Sequence, residues 1–210
     1  MANSSIAAVS FKVVLLGKGC VGKTSLVLRY VEDKFNGKHI TTIQASFLNK
    51  KINIDGQRLT LAIWDTAGQE KFHALGPIYY RSANGAVLVY DITDVDSFQK
   101  VKTWVKELRK MLGRDMCLAI VGNKMDLEEE RQVPVEEAEE YASKVGATHW
   151  FTSAKLNQGV EEMFVGLARD MLAKNALAGT LSRQSSIRRN MLVVTDDEPA
   201  PAKGCCSSGA

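Results

Sequence analysis

In Gly17-Lys18-Gly19-Cys20-Val21-Gly22-Lys23-Thr24, glycines, a lysine and a hydroxyl fall at the spacing G-x-x-x-x-G-K-[ST]. Glycine lets the backbone curl until successive N–H groups, here those of Gly19, Cys20, Val21, Gly22, Lys23, Thr24 and Ser25, point at one anion. Lys23 adds a point charge at the β- and γ-phosphates of a nucleotide, and the Thr24 hydroxyl suits a magnesium ion. A helix opening near Lys23 would turn its positive end toward the same anion. A glycine-rich turn with a surface lysine is the bland alternative. The apolar run from Phe11 to Leu16 before the pattern, and a helical pattern after it, favour the cradle. Such a loop serves kinases, ATPases and GTPases alike.

Further segments narrow the chemistry. Asp65 closes an apolar run, where a carboxylate can share a magnesium ion with Thr24. Gly68 leaves room for a backbone N–H to approach a terminal phosphate. Gln69 both donates and accepts, which suits holding a water in line with that phosphate. Gln69 and Lys23 are therefore the candidate catalytic residues. Asn123-Lys124-Met125-Asp126 offers a carboxylate that takes two parallel hydrogen bonds from guanine N1–H and its 2-amino group. Adenine has an acceptor at N1, and that mismatch disfavours an ATP-dependent kinase. Lys124 can lie along the base and Asn123 can tie its loop to the phosphate loop. Ser153-Ala154-Lys155 supplies the Ala154 N–H for the guanine 6-oxygen. Alone, each of these tetra- and tripeptides is a common solvated turn. Together they point to a guanine nucleotide with Mg2+.

These residues need a scaffold that gathers them. Residues 12–16, 85–90, 117–121 and 149–152 are apolar runs of strand length, and 45–54 with 58–64 flank the turn pair Asp55-Gly56. Helical periodicity covers about 23–31, 95–112, the stretch after Pro134, and 160–172. Residues 35–43 and the stretch after Asp65 read as loops. Strands alternating with helices predict an α/β fold, a mostly parallel sheet covered on both faces. In such a sheet the site lies at the C-terminal strand ends, where all the polar segments fall.

Composition sets outer limits. The chain has 210 residues, 45% hydrophobic and 24% charged, with a formal net charge of +3. That is an ordinary globular balance and argues against nucleic acid as a partner. No run reaches the roughly 18 apolar residues of a membrane span, and the first residues lack the pattern of a secretory signal. Cysteines 20, 117, 205 and 206 form neither a zinc pattern nor a disulfide framework, which fits a reducing compartment.

In their order, the phosphate loop, Thr42, D-T-A-G-Q, N-K-M-D and S-A-K resemble the Ras superfamily of small GTPases over residues 11–174. Ile43-Gln44-Ala45-Ser46-Phe47, Leu61-Ala62-Ile63-Trp64, Lys71-Phe72-His73, Tyr79–Ala83 and Leu88–Thr93 are similar to segments of the Rab family. The runs His39–Phe47 and Leu75–Arg81, with the terminal cysteines, resemble its early-endosomal branch. The resemblance implies a phosphate-loop NTPase of the small G-protein fold, with a six-stranded, mostly parallel sheet flanked by helices on both faces. It implies a switch that cycles between GTP and GDP, recruits effectors and regulates endocytic vesicle traffic. It also implies Thr42 as a magnesium ligand, Phe35 against the guanine, and switches over 35–47 and 66–81. Phe47, Trp64 and Tyr79 would form an aromatic cluster read by effectors, or else plain core. Lys18 stands where relatives often carry an acidic or small residue, and the sequence gives it no role.

No arginine is placed to act in cis, and the resemblance implies unaided hydrolysis of order 10⁻⁴ s⁻¹, a barrier of roughly 22 kcal/mol. The resemblance implies an activating protein, an exchange factor, an escort protein and a GDP-dissociation inhibitor around a monomer. Residues 1–10 read as a flexible N-terminus, 11–174 as the catalytic domain and 175–210 as a flexible tail without a packing face. Cys206 is fifth from the end and misses a C-a-a-X box. In Rab tails two such cysteines are nonetheless geranylgeranylated, so Cys205 and Cys206 imply attachment to the cytoplasmic face of early endosomes, with a cytosolic pool. A nucleotide-holding scaffold without turnover is the competing reading.

Overall fold

The computed structural model describes residues 9–37, 42, 45–68, 76–113 and 115–190. The chain divides into two units, Met1–Lys174 and Asn175–Ala210. In the first unit six strands, β1 (Val9–Leu16), β2 (Ser46–Ile54), β3 (Gln57–Asp65), β4 (Gly85–Asp91), β5 (Cys117–Asn123) and β6 (Thr148–Thr152), form one sheet. Their order is β2-β3-β1-β4-β5-β6, parallel except for the hairpin of β2 and β3. That hairpin turns on Asp55 and Gly56, whose φ of 51° and 82° match the tight turn the sequence predicts. The six-stranded, mostly parallel sheet is the expected one.

The strand sequences explain their places. Every residue of β4 and β5 is buried, as expected of central parallel strands covered on both faces. β2 lies at an edge and exposes every second residue or more. Along β1 the side chains alternate between two cores. Val13 and Leu15 pack with α1 (Lys23–Glu32) and α5 (Val160–Asn190), while Val14 and Leu16 pack with α3 (Val95–Leu112) and α4 (Val135–Val145). A short helix, α2 (Gly76–Tyr80), places buried Tyr80 in the second core. The sheet is thus sandwiched, and its C-terminal strand ends are left to the loops.

Local chemistry fixes the helix ends. Asp94 caps α3 by accepting from the Ser97 N–H at 3.2 Å, which satisfies an otherwise orphaned donor. At the other end Arg109 donates to the carbonyls of Met116 and Val145 at 3.2 and 3.0 Å, locking α3 to the start of β5 and the end of α4. Pro134 is the N-cap of α4 and precedes its first turn, a position where its missing N–H costs nothing.

Two elements depart from the sequence reading. A 3₁₀ helix spans Met125–Glu130, where no periodicity signals one. The last helix was expected to stop near Leu172, but α5 runs on to Asn190. Ala173, Ala176, Leu177 and Ala178 are strong helix formers and no proline interrupts them, so propensity carries the helix on without an apolar stripe. No helix among the described residues is long and apolar enough to cross a membrane.

Phe164 of α5 is fully buried and stacks on Tyr30 of α1, ring centroids 4.1 Å apart. Truncating Phe164 to alanine should cost about 3–5 kcal/mol in chemical denaturation. A loss below about 1 kcal/mol would show that this contact does not hold α1 and α5 together.

Candidate functional site

Between β1 and α1 the chain makes the predicted loop. Gly22 has φ 94°, and a Cβ there would fall on the Asn123 carboxamide, so both conformation and space require glycine. Lys23, only 6% exposed, turns back across the loop. Its Nζ donates to the carbonyls of Gly17 at 3.0 Å and Lys18 at 2.9 Å. Burial pushes the Lys23 ammonium down to about 8, against the opposing pull of Asp65 and, less, of Cys20. Lys23 is therefore a desolvated cation that an incoming anion would stabilise. Gly68, just beyond β3, crosses over it. A Cβ there would meet Lys23 Nζ and come within 2.7 Å of the Lys18 carbonyl, so the backbone approach needs the missing side chain.

Beside this lysine three oxygens converge. Thr24 Oγ1 donates to Asp65 Oδ2 at 2.6 Å and lies 2.7 Å from Thr42 Oγ1. Asp65 is 1% exposed, and its Oδ1 has no hydrogen-bond partner among the described residues. Burial raises its pKa, with the Thr24 hydrogen bond and the Lys23 charge opposing the rise. A buried carboxylate with an orphaned oxygen and two hydroxyls is a hard-oxygen donor set that fits Mg2+. Among the described residues no group of three or more His, Cys, Asp or Glu could cage a metal. A cation here would draw its remaining ligands from phosphate oxygens and water, the usual habit of Mg2+.

The third group of residues gathers at the ends of β5 and β6. Asn123 donates from Nδ2 to the Val21 carbonyl at 2.9 Å, and its Oδ1 accepts from Thr152 Oγ1 at 3.1 Å and the Ala154 N–H at 3.3 Å. One carboxamide thus stitches the phosphate loop to both neighbouring loops. Lys124 sits at φ 70°, an uncommon conformation for a lysine, and its Nζ pairs with Asp91 Oδ2 at 2.5 Å. Asp126 accepts from Ser153 Oγ at 2.5 Å and lies 3.5 Å from Lys155 Nζ. Ser153 thereby holds the carboxylate from one side, a role the sequence does not reveal. The Ala154 N–H makes a long bond to Asn123 Oδ1. That donor is not free but shared, and a base oxygen must compete for it or divide it.

Lys18 gains an account. Its Nζ pairs with Asp94 Oδ2 at 2.9 Å, joining the phosphate loop to the cap of α3. Against the upward push of burial, the Lys18 bond and the Ser97 N–H hold the Asp94 carboxyl below its usual range. Both side chains are about one-third exposed, so the pair contributes at most about 1 kcal/mol.

Phe47, Trp64 and Tyr79 form the expected aromatic row, with centroids 5.3 and 6.2 Å apart. Phe47 is 51% exposed, so the row is not plain core. Phe35 is also exposed and faces the Arg29 guanidinium at 5.9 Å. The structure thus assembles Gly19 to Ser25, Thr42, Asp65, Gly68, Asn123, Lys124, Asp126 and Ser153 to Lys155 at the C-terminal strand ends. Gln69, Cys205 and Cys206 lie outside the described residues.

Comparison with known proteins agrees with this geometry. Residues 12–173 match the model of the Ras family. The chain is 64% identical over 208 residues to the Ras-related protein Rab-21 of Mus musculus, covering 96% of this chain and 94% of that protein. Identity to Rab-21 of Homo sapiens is 65% over 209 residues, covering 96% and 93%. To Rab-21 of Dictyostelium discoideum it is 54% over 206 residues, covering 95% and 97%.

The lowered Lys23 pKa gives a proton signature. A bound diphosphate raises that pKa, so binding takes up a proton wherever the free lysine is already neutral. Affinity is then fullest below about pH 8 and falls as pH rises through the bound-state value. At pH 8.5 calorimetry of GDP binding in buffers of different ionisation enthalpy should show net proton uptake. No uptake at that pH would mean that Lys23 is charged before the nucleotide arrives.

Proposed function

Because the chain belongs to the Ras family and, within it, to the Rab GTPases, we propose that Thr24, Asp65 and Thr42 form its phosphate-sensing switch. The protein is a small GTPase that binds GTP and GDP, hydrolyses GTP and regulates vesicle trafficking. The observation that carries the proposal is Thr42 Oγ1 at 2.7 Å from Thr24 Oγ1, itself bonded to Asp65. It brings the segment before β2 onto the phosphate loop at the point where a terminal phosphate would sit.

In this reading Thr24, Thr42 and Asp65 hold Mg2+, which when bound neutralises phosphate charge and orients the β- and γ-oxygens. The N–H groups of residues 19–25 and the Lys23 ammonium bind and orient the same phosphates. The Gly68 N–H approaches the γ-phosphate, and Gln69 holds the attacking water in line with it. At the far end Asp126 reads guanine N1–H and the 2-amino group, Asn123 and Lys124 frame the base, and Phe35 packs against it. Loss of the γ-phosphate removes what Thr42 and Gly68 hold, and both segments relax.

Phe47 is exposed at one end of the row it forms with half-buried Trp64 and Tyr79, which supports the row as a surface that effectors read. An exchange factor would open the site. An activating protein would supply the arginine this chain does not place there, lowering the barrier by about 7 kcal/mol. Escort protein and GDP-dissociation inhibitor would handle a tail geranylgeranylated at Cys205 and Cys206, which anchors a monomer. Residues 1–10, 11–174 and 175–210 are terminus, catalytic domain and tail in this layout. Similarity to Rab-21 proteins and to early-endosomal sequence runs supports placement on early endosomes with a cytosolic pool.

Replacing Gln69 with leucine keeps the side-chain volume and removes both hydrogen-bonding groups. GTP affinity should stay within about threefold while single-turnover hydrolysis falls at least about tenfold, the scale of one lost positioning group. Unchanged hydrolysis would remove Gln69 from the mechanism.

A further inference from the structure

Arg29 of α1 has no part in the motifs above, yet its side chain spans both walls of the candidate guanine pocket. It is 15% exposed in its side chain. Nε donates to the Ala154 carbonyl at 3.0 Å and Nη2 reaches the Lys155 carbonyl at 3.4 Å. Nη1 donates to the backbone carbonyl and the carboxylate of Asp33, at 3.1 and 3.0 Å. Asp33 is the C-cap of α1 at φ 53°, a left-handed position uncommon for a non-glycine residue, and its N–H returns to the Arg29 carbonyl at 3.1 Å. The guanidinium also faces the Phe35 ring at 5.9 Å. One planar fork therefore fixes the chain leading to Phe35 and the loop after β6 together.

The geometry of the peptide unit gives this a consequence. In a trans peptide the C=O and N–H point in opposite directions. With the Ala154 carbonyl turned onto Arg29, the Lys155 N–H of the same peptide unit is turned away from α1. No hydrogen bond among the described residues engages that N–H. The Ala154 N–H, by contrast, is already shared with Asn123 at 3.3 Å.

We infer that Arg29 is a positioning residue for recognition of the guanine 6-oxygen, acting through the peptide groups of Ala154 and Lys155. The inference rests on the reading of this loop as the guanine site. Arginine suits the task because its fork offers several fixed donors, and carbonyls pinned by a charged donor are held more firmly than by a neutral one. A merely structural arginine would steady α1 and weaken every nucleotide alike. A positioning arginine acts on one atom of the base.

The test compares GDP with 6-thio-GDP. The thio analogue keeps N1–H and the 2-amino group for Asp126 but replaces the 6-oxygen by a weak acceptor. Dissociation constants are measured for wild type, Arg29→Ala and Arg29→Lys. Wild type should prefer GDP. In Arg29→Ala, GDP affinity should fall about fivefold, the scale of a lost hydrogen bond, while 6-thio-GDP affinity moves by less than about twofold. Arg29→Lys should show the same selective loss, because one ammonium cannot span both carbonyls and Asp33. The preference is a ratio within one preparation, so an inactive fraction cancels, and the lysine variant decides if the alanine variant does not fold. Equal loss for both nucleotides, or no loss, overturns the role of Arg29. A wild type that does not distinguish the two nucleotides overturns the guanine reading of the loop itself, and the proposal with it.

Discussion

Two buried charges that lack full partners set the terms for the rest of the molecule. Lys23 is desolvated, and its ammonium bonds two loop carbonyls among the described residues. Asp65 is 1% exposed with one oxygen unbonded. Burying either ion alone costs several kcal/mol, and a neighbouring opposite charge offsets that only in part. An anion against the lysine and a cation against the carboxylate would offset those costs. A magnesium–nucleotide complex is both at once. This explains why a site built from few residues can make its occupant part of the fold.

The sheet transmits that requirement. β1 and β3 run side by side with Leu15 level with Asp65, so the phosphate loop and the acidic strand end leave the sheet at one height. β5 lies beyond β4, and Asn123 at its end reaches across to the Val21 carbonyl. Thr42 meets Thr24 hydroxyl to hydroxyl, and the Gly68 backbone passes close over Lys23. In the proposed reading these two contacts respond to one phosphate, whereas the loops tied by Asn123, Thr152 and Ser153 do not need to move.

Much of this is legible in the sequence, because the chemistry of the phosphate loop, D-T-A-G-Q, N-K-M-D and S-A-K is set by residue type at fixed short spacing. The strands and α3 are legible because burial on one or two faces leaves a periodic trace. Contacts between distant segments leave none. Lys18 with Asp94, Ser153 with Asp126 and Arg29 with the Ala154 carbonyl each pair residues that no local pattern relates. The extension of α5 to Asn190 is illegible for the opposite reason, since it follows from propensity without a packing face and so leaves no periodic trace. The exposure of Phe47 was undecidable for an aromatic in an edge strand until β2 was placed outermost.

The central claim is that Thr42 joins Thr24 and Asp65 around one cation only when the terminal phosphate is present. It is tested by the dissociation rates of a non-hydrolysable GTP analogue and of GDP, with and without excess Mg2+, in wild type and Thr42→Ala. The account predicts that the substitution abolishes most of the extra retention Mg2+ gives the triphosphate and leaves GDP release unchanged. Equal acceleration of both nucleotides, or of neither, would contradict it.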